Sequence, residues 1–195
     1  MWLGDVVLSP SSICGGGVFI NTDYPYGPRG HHGGSGRGTR GQWLALAGFV
    51  GLPLLVGVTA GVLTVPAVQG WYQSLNRPPG TPPAWLFAPV WAVLYLLIGV
   101  AAWLVWRARQ GSRDFRPLRL WGWQLLVNAA WSPAFFGLHS LALGLVVIVA
   151  LLLLIVATLR SFRRVRPAAA VLMLPYLAWV CYAAYLNAGF VMLNP

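Results

Sequence analysis

The chain has 195 residues, 58% of them hydrophobic, with thirteen Arg, three Asp, no Lys and no Glu, for a formal net charge of +10. So few charged residues cannot solvate a soluble domain, whose surface and core together normally carry about 25% charged residues. Asp5, Asp23 and Asp114 all lie outside the long apolar runs, which excludes paired-carboxylate catalysis, an acidic proton relay and a hard-metal site inside them.

Residues 1–41 differ in kind from the rest. Cys14-Gly15-Gly16-Gly17 and the Gly-rich run 27–38 are too poor in apolar side chains to pack, so this segment reads as a disordered cytoplasmic tail. It lacks a secretory signal's basic start and long apolar stretch: its first Arg is Arg29, and Asp5 precedes only Val6-Val7-Leu8. Cys14 and Cys181 are far apart and form no zinc motif, and His31-His32 reads as a solvated pair rather than a metal site. No metal centre is expected.

Beyond the tail, Asp and Arg are absent from 41–76, 78–106, 120–159 and 167–195. A membrane-spanning helix needs about 20 apolar residues. Each run can hold one, and the run 120–159 can hold two. The expected architecture is therefore an all-α integral membrane protein, a bundle of five transmembrane helices over residues 42–195. The first span covers 43–66, opens on an interfacial Trp43 and contains Gly57-x-x-x-Gly61, a strip for close helix contact. A Pro-rich connection follows over 67–84. The second span, 85–106, ends near Trp103 and Trp106. The third, 120–138, holds Trp121, Trp123, Asn128 and Trp131. After a turn at His139-Ser140, the aliphatic fourth span runs over 141–159. The fifth, 168–193, carries Pro175, Tyr176, Trp179, Tyr182, Tyr185 and Asn187.

Arg placement orients this bundle. The tail and the loops 107–119 and 160–166 share one side and carry twelve Arg, against Arg77 alone on the other. Cytoplasmic loops are the basic ones, so the N-terminus is expected inside and the C-terminus outside. The same positions explain the +10 charge as membrane topology rather than nucleic-acid binding.

Polar and aromatic side chains within the spans fall in stripes. Trp91 and Tyr95 are four apart, Asn128 and Trp131 three apart, and Tyr176, Trp179 and Asn187 follow one helical face. An amide or indole N–H in hydrocarbon needs a partner, so these stripes should face one another. An aromatic-walled interior with a few donors suits a large flat apolar ligand, such as a tetrapyrrole or sterol. Interhelical packing and interfacial anchoring are the plainer alternative. His139, Cys181 and Met173 occupy no axial-ligand context, so stably ligated haem is not expected.

Three segments carry a family resemblance. Trp71-Tyr72-x-x-Leu75-x-Arg77-Pro78-x-x-x-Pro82-Pro83-x-Trp85-x-Phe87-x-Pro89-Val90-Trp91-x-x-Leu94-Tyr95 resembles the first loop and second helix of the TspO/MBR family of tryptophan-rich sensory and translocator proteins. Gln124-Leu125-x-x-Asn128-x-x-Trp131-x-Pro133-x-Phe135-Phe136-Gly137 resembles its third helix. Pro175-Tyr176-Leu177-x-Trp179, with Leu186-Asn187 and Leu193-Asn194, resembles its fifth. The resemblance implies a five-helix, usually homodimeric receptor with one pocket per subunit, binding porphyrins such as protoporphyrin IX and haem as ligands rather than cofactors, and also sterols. Carried over by motif, the pocket residues are Trp91, Tyr95, Asn128, Trp131, Trp179, Ala183 and Asn187, under a lid shaped by Pro82, Pro83 and Trp85.

Two departures matter. Pro79-Gly80 stands where the family commonly has an aromatic, and Met192 replaces a basic residue near the fifth helix's end, so a sterol-recognition pattern cannot be completed after Tyr185. Porphyrin is favoured over sterol. The all-Arg basic usage hints at a bacterial cell membrane. Binding and sensing ranks above transport, since no repeat of broken helices is visible, and above light- and oxygen-dependent porphyrin breakdown by pocket tryptophans.

Overall fold

The computed structural model describes residues 35–109 and 113–195. Most of the expected tail, including Cys14 and His31-His32, lies outside the described residues. Its last residues do not: helix α1 spans Ser35–Gln69, so 35–41 belong to a helix rather than to the tail. A 3₁₀ turn follows at Trp71–Ser74, then α2 (Ala84–Ala108), α3 (Arg116–Ser132), a π-helical turn at Pro133–Gly137, α4 (Leu141–Val165), α5 (Pro167–Leu172) and α6 (Leu174–Leu193). Among the described residues there is no strand. Within hydrocarbon each spanning segment must satisfy its own backbone, which leaves helix as the solution for these apolar runs.

Four stretches are long and apolar enough to cross a membrane: Arg40–Gln69, Ala84–Ala108, Leu141–Val165 and Pro167–Leu193. The third expected span is shorter as an α-helix, but it runs directly into the π turn. There the Leu138 N–H donates to the Pro133 carbonyl over 2.9 Å, a bond five residues long that widens the helix. The expected fifth span is broken into α5 and α6 at Met173. Pro175 has no N–H to give back to the preceding turn, and the ladder resumes where Leu177 N–H donates to Met173 O at 3.0 Å.

Local chemistry sets the ends. Pro117 occupies the first turn of α3, where its missing N–H leaves no broken bond. Asp114 Oδ1 accepts from the Arg116 N–H at 2.9 Å and Asp114 also pairs with Arg109 at 3.4 Å. The Arg116 bond, chiefly, holds the Asp114 carboxyl below its ordinary pKa. Ser140 Oγ caps α4 by accepting from the Leu143 N–H, and Arg163 and Arg164 occupy the last turn, next to the negative end of the helix dipole.

The core lies among α2, α3, α4 and α6. Leu94, Tyr95, Ile98, Ala101, Ala102 and Val105 form the buried face of α2, and Ile148, Leu151, Ile155 and Phe162 that of α4. Helix α1 is peripheral and turns most of its apolar side chains outward. It docks on α2 through two glycines. A Cβ on Gly57 would collide with the Tyr95 ring, and one on Gly99 would stand 2.6 Å from the Phe49 carbonyl oxygen. Gly61 has open space instead, so only the first glycine of the Gly57-x-x-x-Gly61 strip makes a close contact here.

Candidate functional site: an aromatic and amide interior under a latched loop

The expected stripes do face one another. Tyr95 on α2, Asn128 on α3 and Tyr176 on α6 are all buried. The Tyr95 hydroxyl donates to Asn128 Oδ1 at 2.7 Å, and Asn128 Nδ2 donates to the Tyr176 hydroxyl at 3.2 Å. One amide thus ties three helices together. A second amide works one level nearer the first loop. Trp131 Nε1 donates to Asn187 Oδ1 at 3.2 Å, and Asn187 Nδ2 donates to the Leu141 carbonyl at 2.9 Å, joining α3, α6 and the start of α4. In hydrocarbon these bonds have no water to compete with, and breaking one strands its partner.

Aromatic rings surround each amide. Trp91 lies 5.2 Å from Tyr95 and meets Tyr176 edge-on at 6.3 Å. Trp179 meets Phe87 edge-on at 6.0 Å and Tyr182 at 5.7 Å. These rings form two groups where α2 meets α6, Trp91 with Tyr95 and Tyr176, and Trp179 with Phe87 and Tyr182. Trp131 belongs to a third group: it stacks on Phe135 at 5.2 Å, and Phe135 contacts Trp71 and Phe190. Trp91 and Trp179 are half-buried, as is Ala183, one turn from both Trp179 and Asn187. Such T-shaped and offset pairs are favourable beyond their burial.

The connection 75–83 is fastened to the C-terminal half of α6. The Asn76 N–H donates to Asn194 Oδ1 at 2.9 Å, and Asn194 Nδ2 returns the bond to the Asn76 carbonyl at 3.0 Å. Asn76 Nδ2 adds a bond to Leu193 O at 3.3 Å. The Tyr182 hydroxyl donates to the Gly80 carbonyl and that of Tyr185 to the Pro79 carbonyl at 3.2 Å. Gly80 adopts φ +83°, open to glycine at no steric cost, and Gly189 leaves room for Pro78. Nearby, Arg77 lies 5.4 Å above the Tyr72 ring; burial pushes the Tyr72 phenol above its ordinary pKa, and the guanidinium partly offsets this.

Of the expected lid residues, Pro82 is half-buried and Pro83 is exposed, at the cap of α2. Trp85 points away, 72% exposed. The motif that contains it fixes its place in the chain but not its direction on the first turn of α2. Trp103, expected at the interface, donates to the Gln42 carbonyl at 3.2 Å and lies under Arg107. A separate outward groove of about 390 Å³ lies against the end of α1, lined by Leu63, Pro66, Ala67, Trp71, Phe136 and His139.

The spacing of the sequence did not identify Asn194 as a loop clasp, since its partner is 118 residues away. Its Leu193-Asn194 motif was the available signal. Phe87 and Phe135 were visible as motif residues, but nothing marked them as ring partners.

Taken together, these features define a helical integral membrane protein with aromatic and amide side chains gathered in its interior beneath a fastened loop. The chain belongs to the TspO/MBR family, whose profile matches residues 49–193. It is 39% identical over 158 residues to the tryptophan-rich protein TspO of Chlorobaculum tepidum, covering 79% of this chain and 98% of that protein. It is 37% identical over 147 residues to the translocator protein of Bos taurus (74% and 87% covered) and 40% identical over 126 residues to protein CrtK of Rhodobacter capsulatus (64% and 79% covered).

Proposed function

We propose that this protein is a tetrapyrrole receptor, which binds protoporphyrin IX or haem within the bundle and serves porphyrin handling and stress sensing. The observation that carries the reading is the pairing of two amides, Asn128 and Asn187, with facing rings of α2, α3 and α6 beneath a loop held by hydrogen bonds. Names of relatives, translocator protein and tryptophan-rich sensory protein, support a sensing or carrying role in a membrane. A flat macrocycle would take Trp91 and Trp179 as walls, and its polar edge would exchange bonds with Asn128 and Asn187. Entry requires the 75–83 loop to leave α6.

On this reading, α3 with its π turn is the third of five spans, the N-terminus is cytoplasmic and the C-terminus outside, in the bacterial inner membrane. The working unit is a homodimer, with membrane lipid around it. The chemistry is binding rather than catalysis, porphyrin is a ligand and not a resident cofactor, and sterol-like lipids are weaker ligands. Titration of the protein with protoporphyrin IX, haem and a sterol in one detergent tests this. Tightest binding of a porphyrin is expected, unchanged by Trp103→Phe; sterol-only binding would overturn it. Anaerobic illumination of the porphyrin complex separates a receptor, which returns its ligand intact, from an oxygen-dependent porphyrin-degrading enzyme.

A further inference from the structure

Among the described residues, three buried side-chain polar atoms have no hydrogen-bond partner: Gln124 Nε2, Gln124 Oε1 and Trp121 Nε1. Gln124 is 0% exposed and Trp121 5%. The two residues are three apart and belong to the same inward stripe of α3 as Asn128, which lies one helical turn further toward the first loop. That arrangement is costly. A buried primary amide with both ends unmet loses its full desolvation energy, and hydrocarbon offers it nothing in return. Leu would fill the same space without that loss. By contrast, Asn128 and Asn187 on neighbouring levels use both amide ends.

We propose that Gln124 and Trp121 form a second polar subsite, below the Asn128 level, which takes the protonated carboxylic acid arm of the bound ligand; the inference rests on the tetrapyrrole reading and adds to it. The atom types fit. A neutral carboxylic acid has one O–H donor and a carbonyl acceptor side by side. Gln124 Oε1 accepts the O–H, Gln124 Nε2 donates to the carbonyl, and Trp121 Nε1 donates to that carbonyl's second lone pair. The acid is taken up neutral, because no Arg is buried at this level: Arg119, two residues before Trp121, is exposed. Reach fits as well: four residues of helix rise about 6 Å, the scale of a propionic arm hanging from a macrocycle held at Asn128.

The test compares protoporphyrin IX with aetioporphyrin, which keeps the ring but lacks carboxyl groups. The parent should bind protoporphyrin IX about tenfold more tightly, and Gln124→Leu should remove that preference while leaving aetioporphyrin affinity as it was. The same variant without ligand should melt at a higher temperature than the parent. Should Gln124→Leu fail to fold, Trp121→Phe, which keeps the ring and loses the N–H, should reduce the preference in part. Equal weakening of both porphyrins, or no weakening of either, would overturn the subsite. A parent that binds both porphyrins without preference overturns the subsite alone, whereas a parent that binds neither overturns the tetrapyrrole reading beneath it.

Discussion

Tyr95→Phe and Asn128→Ala, alone and together, measure whether the three-helix amide node holds the bundle. Tyr95→Phe removes the 2.7 Å bond to Asn128 Oδ1 but leaves the Asn128–Tyr176 bond at 3.2 Å. Asn128→Ala strands two hydroxyls at once, on Tyr95 (5% exposed) and Tyr176 (0%). Leaving a buried polar group unmet costs about 1–3 kcal/mol, so Asn128→Ala, which strands two, should cost about 2–6 kcal/mol and Tyr95→Phe, which strands Asn128 Oδ1 alone, about 1–3 kcal/mol. Side-chain bonds in membrane bundles couple by about 0.6 kcal/mol on average and up to about 1.7. The double variant should therefore be less destabilised than the two singles combined, by about 1 kcal/mol. Reversible unfolding in mixed micelles, followed by tryptophan fluorescence, gives all four corners of the cycle. Additivity to within about 0.3 kcal/mol would refute the node, and both side chains would then be packing neighbours only.

Three further outcomes follow from the geometry. Asn194→Ala removes the reciprocal clasp on Asn76, so hydrogen exchange across 75–83 should accelerate and porphyrin should dissociate several-fold faster with the bundle's melting temperature little changed. Gly99→Val places a side chain against the Phe49 carbonyl and should destabilise the α1–α2 contact by more than 1 kcal/mol or so, whereas Gly61→Ala, which meets nothing within 4 Å, should be neutral in the same melting assay. Asp114 has a folded-state pKa below its unfolded one. Its contribution is thus complete above about pH 4 and is lost as the pH falls through the lower folded value; protection of the Arg116 amide, measured against its intrinsic exchange rate at each pH, should fall in that acid range, and Asp114→Asn should abolish the change.

Much of the bundle is readable from where Arg is missing, because a charge-free apolar run in this composition has few other fates than a helix. The inward stripes are readable too: Tyr95, Asn128, Tyr176 and Asn187 cannot leave their donors in hydrocarbon, and helical spacing says which of them share a face. What escapes the sequence depends on tertiary detail. Ser35–Gln69 extends the first helix at both ends, through residues whose Gly content argues for a tail and through Pro66, whose missing N–H a membrane helix tolerates. The π turn at Pro133–Gly137 brings Phe135 to 2% exposure, an inward rotation that no periodicity of 3.6 foretells. Trp85 shares its motif with Trp91 yet faces outward. Asn194 finds Asn76 only once α6 and the first loop have come together. The unmet amide of Gln124 is likewise invisible until its neighbours are seen to offer it no bond.

The central claim is that a porphyrin is held against the ring groups that Trp91 and Trp179 form where α2 meets α6. It is tested most directly by the affinity of a Trp91→Ala, Trp179→Ala double variant for protoporphyrin IX, once circular dichroism shows the variant folded. Each ring contributes about 1–3 kcal/mol by burial and about 0.5–1.5 kcal/mol more through ring geometry. Each Ala should then weaken binding about tenfold or more, with Phe at either position recovering part of the loss. A folded double variant that binds protoporphyrin IX as tightly as the parent would contradict the claim and leave both tryptophans as packing residues.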